Sequence, residues 1–242
     1  MRKLLALLFI VSALPLFAQR VRQQDFASDF QTIPVMGNTP GIGSTFQSFV
    51  ALMNPTASAF PVEVSFYDGN GTKRIATIQL AAGELKTYPN FLESVFNGFV
   101  GGGAVTFRSA DPGKRFIVNS EVWTSGARYG TSIPALEFAG SNSRSFAAGI
   151  SVDGAQRTNI GCFNQSDAAN RINASVLDKT GHVVGTVTFD LAASAWGQAP
   201  VNSMVTDGYI QFDPQEAAVC YAVVVTNSTN DGRFIMATEY EP

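Results

Sequence analysis

The sequence predicts an all-β chain, arranged as two tandem antiparallel β-sandwiches with one short helix in the first. Three observations predict it. Apolar residues alternate with polar ones at period two, as Val62, Val64 and Phe66 do against Glu63, Ser65 and Tyr67, which is the pattern of a strand with one buried face. Turn-forming clusters punctuate these runs: Asp68-Gly69-Asn70-Gly71, Ala82-Gly83, Asp111-Pro112-Gly113, Asp207-Gly208 and Asn230-Asp231-Gly232. Glycine permits positive φ there, and Asn or Asp tolerates it. The whole pattern then recurs in the second half of the chain.

Composition narrows the function classes. The 242 residues are 45% hydrophobic and only 14% charged, against about 25% charged in an average soluble protein. The net charge of −3 argues against nucleic acid as a partner, because phosphate neutralisation needs a basic face. One His, two Cys and no clustered acids remove most catalytic and metal-binding arrangements. No cofactor is expected.

Arg2 and Lys3 open a positive start, residues 4–11 are apolar, and Phe17-Ala18-Gln19 offers a small residue at a cleavage point. Residues 1–18 therefore read as a secretory signal peptide. The apolar run is too short for the ~30 Å of a bilayer's hydrocarbon core, so no membrane span is expected. The mature chain then begins at Gln19 and is periplasmic or extracellular. Residues 19–29 form a polar N-terminal arm, loose or paired as an edge strand. The first sandwich is placed at 30–138, a polar linker at 139–144 and the second sandwich at 145–242.

The repeat is legible residue by residue. Val50-Ala51-Leu52-Met53-Asn54-Pro55 corresponds to Ile160-Gly161-Cys162-Phe163-Asn164-Gln165. Val62, Val64, Phe66 and Asp68 correspond to Ile172, Ala174, Val176 and Asp178. Further on, Val105 and Phe107 match Ile210 and Phe212, and Val118, Ser120 and Val122 match Cys220, Ala222 and Val224. The offset changes only between apolar runs. Connections absorb length cheaply, whereas a one-residue slip in a strand swaps its faces. About seven or eight short strands per copy fit a sandwich.

The single helix is expected at 91–96. Asn90 can cap it, Glu93 follows three residues later, and Leu92, Val95 and Phe96 share a face. Gly98 ends it. The second copy is shorter there, so its helix is reduced or absent. Gly41-Ile42-Gly43 and Gly101-Gly102-Gly103 lack the Lys-Ser/Thr ending of a phosphate loop and read as turns.

The phrase Phe49-Val50-Ala51-Leu52-Met53-Asn54-Pro55-Thr56, followed by Val62-Glu63-Val64-Ser65-Phe66-Tyr67-Asp68 and Gly71, resembles tandem immunoglobulin-like modules of secreted bacterial proteins. So do the Leu80-Ala81-Ala82-Gly83-Glu84 turn, the short helix, and Tyr129-Gly130-Thr131-Ser132-Ile133-Pro134-Ala135. The resemblance spans nearly all of the mature chain. It implies a sandwich fold and a binding or structural role, and it carries over no catalytic residue.

Cys162 and Cys220 stand where the first copy has Leu52 and Val118. In an exported protein they are expected to form a disulfide across the sandwich, worth ~3–4 kcal/mol in the chain-entropy account. The alternative is two buried thiols packing as small hydrophobes. Glu63, Tyr67, Glu121 and Trp123 are expected to share the outer face of the first sandwich. Rings beside carboxylates there could stack on and hydrogen-bond sugars, or the carboxylates could hydrolyse a glycoside if ~5–10 Å apart. His182 is expected to be an exposed turn residue. Asp68-x-Asn70-x-Thr72 has the spacing of a calcium loop start but lacks the closing Glu, so a plain hairpin turn is expected. Trp196 is expected to be a core lid or a contact between the sandwiches.

The function these features predict is a non-catalytic secreted module, structural, adhesive or protein-interacting. Its partner would be a cell-envelope protein or an extracellular polysaccharide. Loops at 37–44 and 98–103 would be its contact sites, and edge strands could pair with a partner. The alternatives are a carbohydrate-binding module using the outer-face aromatics, and a glycoside hydrolase using Glu63 and Glu121.

Overall fold

A computed structural model describes residues 27–41, 44–124, 130–137 and 140–240. The expected signal peptide, the arm as far as residue 26 and the start of the linker lie outside the described residues. Period-two alternation does build strands. In chain order these are β1 (Phe30–Gly41), β2 (Ser44–Met53), β3 (Phe60–Tyr67), β4 (Lys73–Leu80) and β5 (Leu85–Tyr88), then helix α1 (Phe91–Val95), then β6 (Gly101–Ser109), β7 (Ile117–Thr124) and β8 (Thr131–Ile133). The second half supplies β9 (Ser145–Val152), β10 (Gln156–Asn164), β11 (Asn170–Leu177), β12 (Val183–Leu191), β13 (Trp196–Pro200), β14 (Val205–Pro214), β15 (Ala218–Thr226), β16 (Gly232–Met236) and β17 (Thr238–Glu239).

One pairing scheme occurs twice. In the first half β3 pairs with β4 and β6, β6 with β1, β2 with β5 and β7, and β7 with β8. In the second half β11 pairs with β12 and β14, β14 with β9, β10 with β13 and β15, and β15 with β16. Every pair is antiparallel. The register repeats as well. Leu52 faces Val118 as Cys162 faces Cys220. Val62 faces Ile78 as Ile172 faces Phe189, and Val64 faces Phe107 as Ala174 faces Phe212.

The halves differ in how their sheets join. In the second half a four-stranded sheet (β13-β10-β15-β16) and a five-stranded sheet (β12-β11-β14-β9-β17) are separate. In the first, the long β1 pairs with β6 up to Asn38 and with β2 from Asn38 onward, so eight strands form one sheet. The bulge between Ile33 and Met36 contains Pro34, which has no N–H to give a ladder. Bulges bend and twist a strand, and this one allows β1 to serve both limbs. No sheet closes into a barrel.

Each half has its own apolar cluster. Val62, Val64, Phe66, Val105 and Phe107 of one limb meet Val50, Leu52 and Val118 of the other. Ile172, Ala174, Val176 and Phe212 meet Ile160, Cys162, Cys220 and Ala222. Alternate strand positions supply these residues, as the period-two pattern requires.

α1 lies where expected, one residue shorter. Asn90 Oδ1 accepts from the Glu93 N–H at 3.5 Å, and its amide donates to Glu93 Oε2 at 2.6 Å. Gly98, at φ +76°, follows the helix and returns its N–H to the Glu93 carbonyl. Among the described residues the second half has no helix.

Two expected turns and one expected loop are corrected. Gly101-Gly102-Gly103 is strand, paired with Asn38, Gly37 and Met36. A Cβ on Gly103 would lie 2.2 Å from the Tyr67 carbonyl oxygen, so glycine serves close backbone approach rather than turning. Of the expected 37–44 loop, residues 37–41 and 44 belong to strands β1 and β2, with Gly41 opposite Ser44, and residues 42 and 43 lie outside the described residues. Asp207-Gly208 is a bulge inside β14, where the register shifts between Val205 and Gly208 and Asp207 takes φ +56°.

Candidate functional site

β15 is apolar on both faces. Cys220, Ala222 and Val224 enter the second cluster. Tyr221, Val223 and Val225 point the other way, yet Tyr221 is fully buried and Val225 nearly so. Phe234 of the same sheet stacks on Tyr221 with ring centroids 5.2 Å apart, and the first half adds to the cover of this face. Tyr67 packs on Phe163 of β10 with ring centroids 5.2 Å apart. Phe234 of β16 packs against the first cluster. The Trp196 N–H donates to the Asp68 carbonyl at 3.1 Å, and Thr131 Oγ1 donates to the Gly232 carbonyl at 2.7 Å. The outer face of the four-stranded sheet therefore rests on the first half.

Trp196 is held from three sides. Its indole N–H donates to the Tyr221 hydroxyl at 3.0 Å, which donates in turn to Gln198 Oε1 at 3.0 Å. Its ring lies against β6, where a Cβ on Gly102 would come within 3.0 Å of it. Tyr221 itself lies over Gly161, whose added Cβ would meet the Tyr221 hydroxyl. Burial pushes the Tyr221 phenol far above the usual tyrosine range, with the Trp196 hydrogen bond opposing weakly, so it stays a donor. Trp196 is thus the expected contact between halves.

At one end of this contact is a partly enclosed cleft of about 150 Å³. Phe46, Trp123 and Thr124 line it from the first half, and Asn159, Trp196 and Val225 from the second. No charged side chain among the described residues lines it. Thr124 is 3% exposed, and among the described residues neither its hydroxyl nor the Asn159 amide meets a hydrogen-bond partner. Asp231, between two lining residues, buries one carboxylate oxygen without a partner.

A second hollow of about 230 Å³ is polar. Glu63, Tyr67 and Arg108 of the first half line it together with Phe163, Gln165 and Ser194 of the second. The structure therefore separates the four residues expected on one outer face. Glu63 and Tyr67 lie on β3 beside the second half. Trp123 lies on β7 in the apolar cleft, and exposed Glu121 lines neither hollow. Strands β6, β1 and β2 separate β3 from β7 in the sheet order. The four could not be placed together because alternation gives a residue's face, not which limb of a folded sheet carries it.

Cys162 and Cys220 are bonded, with Cα atoms 4.1 Å apart. The bond joins neighbouring strands of one sheet, because Cys162 faces Cys220 directly in the β10–β15 ladder. The expectation of a bridge across the sandwich is corrected accordingly. His182 is exposed in its turn, with Nδ1 3.0 Å from Thr180 Oγ1. Asp68 Oδ1 accepts the N–H groups of Asn70 and Thr72, both at 2.9 Å, a hairpin staple. Among the described residues no group of three or more His, Cys, Asp or Glu is placed to hold a metal ion, and no helix is long and apolar enough to cross a membrane.

Two residues of evident importance escaped sequence reasoning. Asn54 and Asn164 end the matched β2 and β10 runs and are fully buried. The Asn54 amide donates to the Ser58 and Ala81 carbonyls, both at 2.8 Å. The Asn164 amide donates to Ala168 at 2.8 Å and Ala192 at 2.7 Å. Identical Asn at matched positions was the available signal. No protein-family model matches the chain, and no curated protein is significantly similar to it.

Proposed function

We propose that the chain is an exported, non-catalytic binding module of two immunoglobulin-like sandwiches docked as one platform, with a partner in the cell envelope or its surrounding polysaccharide. The observation that carries this reading is the two-sided burial of β15. Tyr221 and Val225 lie on the face that would be wet in an isolated sandwich, yet they are 0% and 3% exposed. Rigid docking of two modules creates surfaces at their junction that neither has alone. The buried Cys162–Cys220 bond is compatible with an oxidising compartment, and the apolar leader supports export.

Glycoside hydrolysis finds less support. Glu63 lines the polar hollow and Glu121 does not, and paired carboxylates must flank one bond. The test is to recover the protein from its producing cells and incubate it with envelope polysaccharide. Export predicts a mature chain starting at Gln19. Binding without catalysis predicts saturable retention and no new reducing ends. An intact Met1, or sugar release that grows with time, overturns the reading.

A further inference from the structure

We propose that the cleft between the halves binds one ring of an uncharged saccharide. The proposal rests on the binding-module reading and names the ligand class for it. Volume comes first. About 150 Å³ is the space that accepts a single six-membered ring, as with benzene in a cavity of about that size. A larger flat ligand or a whole helix does not enter it.

Chemistry comes next. A pyranose ring presents apolar C–H faces and a rim of neutral hydroxyls. The cleft offers the complement: Trp123 and Trp196 for the faces, and Thr124 and Asn159 for the rim. Thr124 lines the cleft, and its hydroxyl makes no hydrogen bond to the described residues. A ligand hydroxyl that bonds it replaces the solvent it would otherwise meet. The Asn159 amide adds two donors and an acceptor. Trp196 is already fixed by the Tyr221 hydroxyl and the Asp68 carbonyl, so little order is lost when a ring settles on it.

Two competing occupants fit less well. An apolar side chain from a partner protein would cover Thr124 and Asn159 and leave them unpaired. A uronate or sulfated sugar would bring charge to a cleft that no Lys or Arg among the described residues lines.

The test is calorimetric titration of the mature protein with three probe sets. These are uncharged hexose and N-acetylhexosamine oligosaccharides, polyuronate and sulfated oligosaccharides of the same length, and peptides rich in Leu and Phe. The proposal predicts saturable binding of a member of the first set. Thr124→Val, which keeps shape and removes the hydroxyl, weakens it roughly tenfold. Trp123→Ala weakens it at least as much, and His182→Ala leaves it unchanged. If no uncharged saccharide binds, if only the charged or peptide probes bind, or if both cleft variants bind as tightly as the parent, the proposal is overturned. Retention on envelope polysaccharide separates the two failures. If it persists unchanged in Thr124→Val, the module reading stands and the cleft assignment falls; if the parent protein shows none, the module reading falls.

Discussion

Asp68 and Asp178 show how one carboxylate can define a turn. Asp178 Oδ1 accepts from the Thr180 N–H at 2.8 Å, the Thr180 hydroxyl at 2.6 Å and the His182 N–H at 3.0 Å. The Thr180 hydroxyl leads in lowering its pKa from the ordinary 3.8 to about 2. A folded pKa below the unfolded one means the turn's contribution is full above about pH 4 and is lost as pH falls through about 2. A carboxyl-detected NMR titration should place the Asp178 midpoint near 2, and Thr180→Val should move it up toward 3.8. Asn54 and Asn164 make a second residue-scale prediction. Replacing either by Ala removes two hydrogen bonds from a buried side-chain amide, a loss of about 1–3 kcal/mol, read as a lower denaturation midpoint. The hydrogen-bonding capacity of these Asp residues was legible in their turn sequences. The Asn role was not, because a buried side-chain amide bonds carbonyls distant in the chain, such as Ala81 and Ala192.

Strands were legible where one face is apolar and the other polar. β3 and β11 alternate cleanly, so their cores were readable as Val62, Val64 and Phe66 and as Ile172, Ala174 and Val176. β15 was ambiguous because both its faces are covered, one by its own sandwich and one by Phe234 together with the first half. The glycines of β6 misled because glycine permits turning and close approach equally, and only the positions of Trp196 and Tyr67 decide between the two. The twinned register gives an element-scale prediction. Leu52 and Val118 face each other as Cys162 and Cys220 do, so Leu52→Cys combined with Val118→Cys should oxidise to a second crosslink, detected by non-reducing peptide mapping. Breaking the native bond by Cys162→Ala with Cys220→Ala should cost about 3–4 kcal/mol in the chain-entropy account.

At the scale of the whole molecule, matched strands of the two halves differ according to their surroundings. The outward positions Asn119, Glu121 and Trp123 of β7 match Tyr221, Val223 and Val225 of β15. The polar members face water in the first half; of the apolar ones, Val223 and Val225 line the cleft at the junction, and Tyr221 packs with Trp196 and Phe234. Of the three on β7, only Trp123 turns toward the cleft. No strand pattern reveals such docking, since it joins residues far apart in sequence, as Gln165 Nε2 joins Thr32 Oγ1 at 3.4 Å. The account depends on that docking being fixed in solution. Residual dipolar couplings from backbone amides measure it directly, because each rigid body reports its own alignment. Couplings from β1–β8 and from β9–β16 should fit one alignment tensor with the orientation described, and Gly102→Leu, which drives a side chain into Trp196, should split it into two. Two independent tensors in the unsubstituted protein would contradict the account.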